Sequence, residues 1–415
     1  MADPMDSRLE QYAGIIVGAG LNLQKGQKLV VNAPVQTAPL VRKIAAKAYE
    51  MGCPLVDVFW GDDQVTLARF EHAPRDSFEE YPTWLPEAQY KYIQEGAAFL
   101  SLAAADPDLL KDQDPQLVRT AMQTRMKYHR PNSELLSKNK TNWCVVSMPI
   151  PSWANKMFPD LPEQEREARL WDAIFNVVRM NEPDPVASWK KHVRGLAARC
   201  DYLNDKQYRA LHYKAPGTDL RVGLPVGHRW KGGSIESETG TTFIPNLPTE
   251  EVFTLPHKDQ VDGTLAATMP LSYGGKLIRN FSMTFKDGRV TGVKAEAEQE
   301  VIENLLDTDE GARHLGEVAL VPYSSPVSQS GLLFYNTLFD ENAASHFALG
   351  RAYAFTISGG EAMTPEAFQA AGGNISLVHV DFMVGSNQMD VDAITRDGKV
   401  ESLMRKGEWT QPVKD

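Results

Sequence analysis

Four short segments carry acidic and imidazole side chains in patterns that could do chemistry. The segment 376–385 reads SLVHVDFMVG. On a strand, side chains at i and i+2 share a face, so His379 and Asp381 project together from one rigid element while Val378, Val380 and Phe382 point the other way. Two metal-capable groups on one face suit cation binding; a hydrogen-bonded pair on a solvated sheet face fits the same alternation. The segment 314–322, HLGEVALVP, places Glu317 inside an apolar run. A carboxylate buried there needs a cation or must take up a proton, whereas an edge position would face it to water.

The segment 246–257, NLPTEEVFTLPH, is framed by Pro248 and Pro256. Adjacent Glu250 and Glu251 would be held in different directions there, one able to bind a metal and the other to handle protons. A helix start capped by Thr249, with two first-turn glutamates, is the competing reading. The fourth segment, 339–353, reads FDENAASHFALGRAY. Its small residues allow close approach around His346, with Glu341 before it and Tyr353 after Gly350. If the run is helical, His346 and Tyr353 share a face at i and i+7, although Gly350 is placed to end such a helix and a core histidine is the plainer alternative.

These four segments resemble the thermophilic aminopeptidase family of metallopeptidases, the aminopeptidase T and aminopeptidase S type, along nearly the whole chain. The resemblance implies a pair of divalent metals held by Glu250, Glu317, Glu341, His346, His379 and Asp381. It also implies a tyrosine at Tyr353, a glutamate at Glu251, and a homodimer with an enclosed active site. Four carboxylates offset two divalent cations in charge, so a site intolerable when empty becomes neutral when filled. Paired metals call for a shared oxygen donor, for which Glu317 is the candidate. Carboxylate and imidazole without thiolate suit zinc, cobalt or manganese, with magnesium possible.

The function expected is a dinuclear aminopeptidase that removes N-terminal residues from short peptides with a free amine. Glu251 is expected to carry a proton from water to the leaving amine, and Tyr353 to donate to the oxyanion. Two rivals share the ligands: a dinuclear phosphoesterase and a peptide-binding protein with structural metals. A phosphoesterase would surround its dianionic substrate with Arg or Lys, and only Arg351 and Lys258 lie within or beside the four segments.

The elements that must position these residues are also legible. The chain has 415 residues, 42% hydrophobic and 23% charged, which allows two or three folded domains. Strand patterns at 28–32, 54–60, 98–103 and 142–148 alternate with helical patterns at 38–51, 84–95 and 115–127. That rhythm predicts an α/β N-terminal domain with a mainly parallel sheet, closed by helices at 162–180 and 185–203. The turn-rich stretch 213–233 suggests a boundary near 215, giving domains 1–215 and 216–415. Beyond it, a strand-rich α+β domain should carry the metals, with a hairpin at Asp287-Gly288 and a helix near 296–306.

Composition narrows the partners. A net charge of −11 repels phosphate backbones, so nucleic acid is not an expected partner. The short apolar run that follows the acidic N-terminus falls far below the ~18 residues of a membrane span, so a membrane is not an expected partner. Three scattered cysteines without Cys-x-x-Cys spacing fit a reducing cytoplasm. His-Glu-x-x-His, Gly-x-Ser-x-Gly and the glycine-rich phosphate loops are absent.

Overall fold

The computed structural model describes residues 4–412. The chain forms two compact units. One runs to Lys190 and includes Ser234–Pro248, and the other comprises Lys191–Gly233 and the chain from Thr249 onward.

The first unit has the expected parallel sheet, in the order Val56–Gly61, Leu29–Pro34, Ala98–Leu102, Trp143–Val146. Leu29, Val30 and Val31 are fully buried, as a strand covered on both faces requires. The helix Ala38–Glu50 stops at Gly52, whose φ of +89° suits a residue without a Cβ. The helix expected over 115–127 continues through Pro131 to Ser137.

The boundary expected near 215 is not where the units part. Division falls within the helix Pro185–Lys206, and the turn-rich residues near 215 close a β-hairpin in which Ala215 pairs with Thr218 around Gly217 at φ +76°. Pro, Gly and Asp cluster in hairpin turns as readily as in linkers, and composition alone does not separate the two.

Among its described residues the second unit has two large antiparallel sheets and a two-stranded ribbon of Leu271–Tyr273 and Lys276–Ile278. The larger has eight strands, among them the hairpin Ser282–Lys286 and Arg289–Lys294, turned by Asp287 and Gly288 at φ +49° and +80°. The smaller has four, in the order His379–Met383, His346–Gly350, Leu315–Leu320, Val252–Thr254. Each strand of this smaller sheet comes from one of the four candidate segments.

Alternation fixes the two faces of the smaller sheet. Val318, Leu320, Phe347, Leu349 and Phe382 turn inward to the core of the unit, where Phe347 meets Tyr213 of the larger sheet with ring centroids 5.0 Å apart. Burying such side chains stabilises by about 1.5–3 kcal/mol each. A one-residue slip would carry all of them outward, so the core also fixes the register of the opposite face. His346 therefore lies on a strand, and the helical reading of its segment does not hold. No helix forms at Thr249 either; Glu250 and Glu251 lead directly into the strand Val252–Thr254.

Candidate metal centre

The face turned away from the core carries the chemistry. Ala348 pairs with Glu317 on one side and with Asp381 on the other, and Gly350 pairs with His379. His346 and Ala348 are two residues apart, as are His379 and Asp381, so all four polar side chains share this face. Ala348 and Gly350 project almost nothing, which leaves room between the flanking carboxylates.

Glu317 owes its aim to a β-bulge. The register shifts between Leu315 and Glu317, placing Gly316 as the extra residue. A Cβ on Gly316 would lie 2.3 Å from the carbonyl oxygen of Gly350, so only glycine fits there. The strand has a partner on each side and Glu317 is buried, which excludes a solvated edge.

Two sets of donors meet at Glu317. One atom each of Glu251, Glu317 and His346 lie within 4.8 Å of one another, and so do atoms of Glu317, His379 and Asp381. Nε2 of His346 is 3.0 Å from Oε2 of Glu251 and 3.5 Å from Oε1 of Glu317. Nε2 of His379 is 3.7 Å from the other Glu317 oxygen, Oε2, and 3.4 Å from Oδ1 of Asp381. One carboxylate thus presents a different oxygen to each set.

Both imidazoles are oriented from behind by the main chain. Nδ1 of His346 donates to the carbonyl of Ala344 over 3.1 Å, and Nδ1 of His379 to that of Arg351 over 2.7 Å. A carbonyl only accepts, so Nδ1 carries hydrogen in either charge state. Nε2 is the nitrogen that can exchange a proton for a cation, the usual arrangement behind a metal-binding histidine.

The electrostatics call for positive charge. Burial pushes the Glu317 carboxyl up to about 7. Burial, Glu251 and Asp381 raise that of partly buried Glu341 well above its ordinary range. Burial opposes charging His379, yet Asp381 and Glu317 outweigh it and lift its pKa to about 9; Glu251 and Glu317 likewise outweigh burial at His346. Burial also works against ionised Asp381, but His379 holds its carboxyl below the usual value. Oε2 of Glu251 and Oδ1 of Asp381 are buried and accept no hydrogen bond. Orphaned carboxylate oxygens facing proton-hungry imidazoles fit a site for divalent cations.

The two adjacent glutamates are placed the other way round from the sequence expectation. Glu251 stands among the donors. Glu250 turns aside: its N–H donates to Oδ1 of Asn342 over 2.7 Å, and its Oε2 is 3.6 Å from Nε2 of His192. Consecutive residues entering a strand point to opposite sides, and the register set by Val252 and Thr254 in the sheet decides which one faces the donors.

Tyr353 forms a wall of the site. Its ring centroid is 4.8 Å from that of His379, and it stacks on Phe355 at 5.3 Å. Burial raises its pKa, so the hydroxyl keeps its proton at neutral pH. Sequence reasoning missed Asn342, whose Nδ2 donates to the Leu338 carbonyl while Oδ1 holds the Glu250 backbone. It also missed the spacer Ala348 and the bulge at Gly316. The i, i+2 spacing of His346, Ala348 and Gly350 was the available signal.

Known proteins place this geometry in a family. The family model described as thermophilic metalloprotease (M29) matches residues 5–409. Aminopeptidase 2 of Geobacillus stearothermophilus is 49% identical over 404 residues, covering 97% of this chain and 98% of that one. Aminopeptidase AmpS of Bacillus subtilis is 46% identical over 407 residues, covering 98% and 99%. The solved structure of wild-type AmpT from Thermus thermophilus superposes with a TM-score of 0.93 at 44% identity, covering 98% of this chain and all of that one. With the family model matching almost end to end and a solved relative sharing the fold, the chain belongs to the thermophilic metalloprotease (M29) family, metal-dependent hydrolases of peptide bonds.

Proposed function

We propose that this chain is an aminopeptidase that works with two divalent cations, zinc, cobalt or manganese, with magnesium possible. Glu251, Glu317 and His346 would hold one, and Glu317, His379 and Asp381 the other. Glu341 adds a fourth carboxylate, so the ligand charge balances two divalent ions. The observation that carries the reading is Glu317, whose two oxygens face two separate histidine-containing donor sets. A bound cation pair would supply polarisation of the scissile carbonyl and acidification of water.

The remaining roles belong to the chain's own groups. Carbonyls of Ala344 and Arg351 hold the imidazoles with Nε2 toward the acids. Tyr353 keeps its proton at Oη and donates it as a hydrogen bond to the oxyanion that develops at the scissile carbonyl. The stacked rings of Tyr353 and Phe355 exclude water from one side. Glu251 would serve as a ligand rather than as the proton carrier, because its carboxylate lies among the donors, with Oε2 3.0 Å from Nε2 of His346.

Substrates in this reading are short peptides with a free N-terminus, whose amine is complementary to a carboxylate-rich site. The three cysteines are all buried and free, which suits a reducing cytoplasm. Among the described residues no helix is long and apolar enough to cross a membrane. A homodimer, as the family resemblance implies, would be read by light scattering. The test of the central reading is metal analysis coupled to peptide turnover. Two equivalents of metal should accompany cleavage of a free tetrapeptide, with both lost on chelation; full activity in metal-free protein would overturn it.

A further inference from the structure

Arg351 is the only Lys or Arg within the four site-forming segments, and no role in the donor set uses it. Its backbone is fixed next to the site. The N–H donates to the Val378 carbonyl over 2.7 Å, and its carbonyl accepts from Nδ1 of His379 over 2.7 Å. The preceding Gly350 adopts φ +97°, its carbonyl accepts from Nδ2 of Asn374 over 2.6 Å, and any Cβ there would lie 2.2 Å from the Val378 oxygen. From this anchored root the guanidinium Cζ reaches to 6.0 Å from the Tyr353 ring centroid, which in turn lies 4.8 Å from that of His379. The side chain is exposed and makes no ion pair with any described residue.

An uncompensated guanidinium beside an otherwise acidic site is a recognition group for a carboxylate. The donor set itself, four carboxylates against two divalent cations, carries no net charge to attract an anion. Resting on the aminopeptidase reading, a peptide whose amine sits among the donors and whose first carbonyl lies beside Tyr353 advances at roughly 3.3–3.6 Å per residue. Its chain reaches the neighbourhood of Arg351 within one or two residues. We propose that Arg351 binds the free α-carboxylate of di- and tripeptides, and so selects short substrates with both termini free. In longer peptides the carboxylate lies beyond its reach, and in amides it is absent.

The test compares Leu-Gly and Leu-Gly-Gly with their C-terminal amides. For the wild-type protein loaded with metal, kcat/KM should favour each acid over its amide by about 10-fold, the size of one partly solvated charge-assisted contact. The difference should lie mainly in KM. Arg351→Gln should bring the ratio to about 1, and Arg351→Lys should restore part of it. Equilibrium binding of a reduced Leu-Gly, with methylene-amine in place of the amide, should show the same acid preference without turnover. A wild-type ratio near 1, or a preference that survives Arg351→Gln, would overturn the proposal. Absence of turnover on all four substrates would overturn the aminopeptidase reading itself and the proposal with it.

Discussion

Glu317 presents Oε1 to His346 at 3.5 Å and Oε2 to His379 at 3.7 Å, although neither of these is a neighbour in sequence. A shared carboxylate of this kind makes the two halves of the site interdependent. Glu317→Gln should therefore release both equivalents of metal, while His379→Gln should release only one, as measured by elemental analysis after dialysis. Retention of two equivalents in Glu317→Gln would contradict the shared role.

The adjacent glutamates should separate cleanly. Glu251→Gln replaces an anionic donor and should weaken metal binding by at least about 10²-fold, beyond the usual effect of outer-shell changes. Glu250→Gln, which alters a side chain turned toward His192, should keep near-normal metal content. Competition with a metal-indicator dye measures both, and the reverse order would restore the sequence-based assignment.

Tyr353→Phe removes the hydroxyl while leaving the ring stacked on Phe355. Steady-state kinetics should show kcat lower by roughly 10²–10³, the usual cost of one oxyanion donor, with metal content unchanged. A KM effect alone would place Tyr353 in ground-state binding instead.

Gly316→Ala drives a Cβ into two backbone carbonyls, those of Gly350 and Arg351. The cost should be about 1–3 kcal/mol, typical of overpacking, and Glu317 should lose its aim at the same time. Calorimetry should show a lower Tm together with weaker metal retention. An unchanged Tm would mean that the bulge adjusts more freely than its contacts indicate.

Acid sensitivity should trace in part to His228. Its ring is fully buried, Nδ1 donates to the Pro225 carbonyl, and Nε2 has no hydrogen-bond partner. Burial pushes its pKa down to about 4 from an ordinary value near 6.5. The unfolded chain therefore takes up a proton between pH 6.5 and 4 that the folded chain refuses. The stabilising contribution is complete above pH 6.5 and is lost as pH falls towards 4, by roughly 3 kcal/mol. Urea midpoints with chelator present should fall less steeply over this window in His228→Gln than in the wild type; parallel curves would exclude His228.

Whereas the full donor set was implied only by the family resemblance, residue types and strand alternation singled out Glu317, His379 and Asp381 as candidates that the sheet brings together, since a carboxylate such as Glu317 in an apolar run is abnormal wherever the strand lies. The parallel sheet was legible for a similar reason: strands such as Leu29–Pro34 are apolar at every position but Asn32. What sequence could not decide was register. Glu250 and Glu251 have identical side chains, and only pairing of Val252–Thr254 with Leu315–Leu320 determines which one faces His346. The strand at His346 was obscured by its small residues, whose local preference is helical. The unit boundary was misplaced because a hairpin turn and a linker share composition.

The four-strand origin of the site also bears on when a cation can be captured during synthesis. No single segment of the nascent chain supplies a whole donor set, since Glu251, Glu317, His346 and the His379–Asp381 pair come from separate segments that meet only through sheet pairing. The strand bearing His379 and Asp381 emerges last among the four. A complete donor set exists only once these strands have paired, so full coordination of a cation is expected to follow assembly of the sheet rather than precede it.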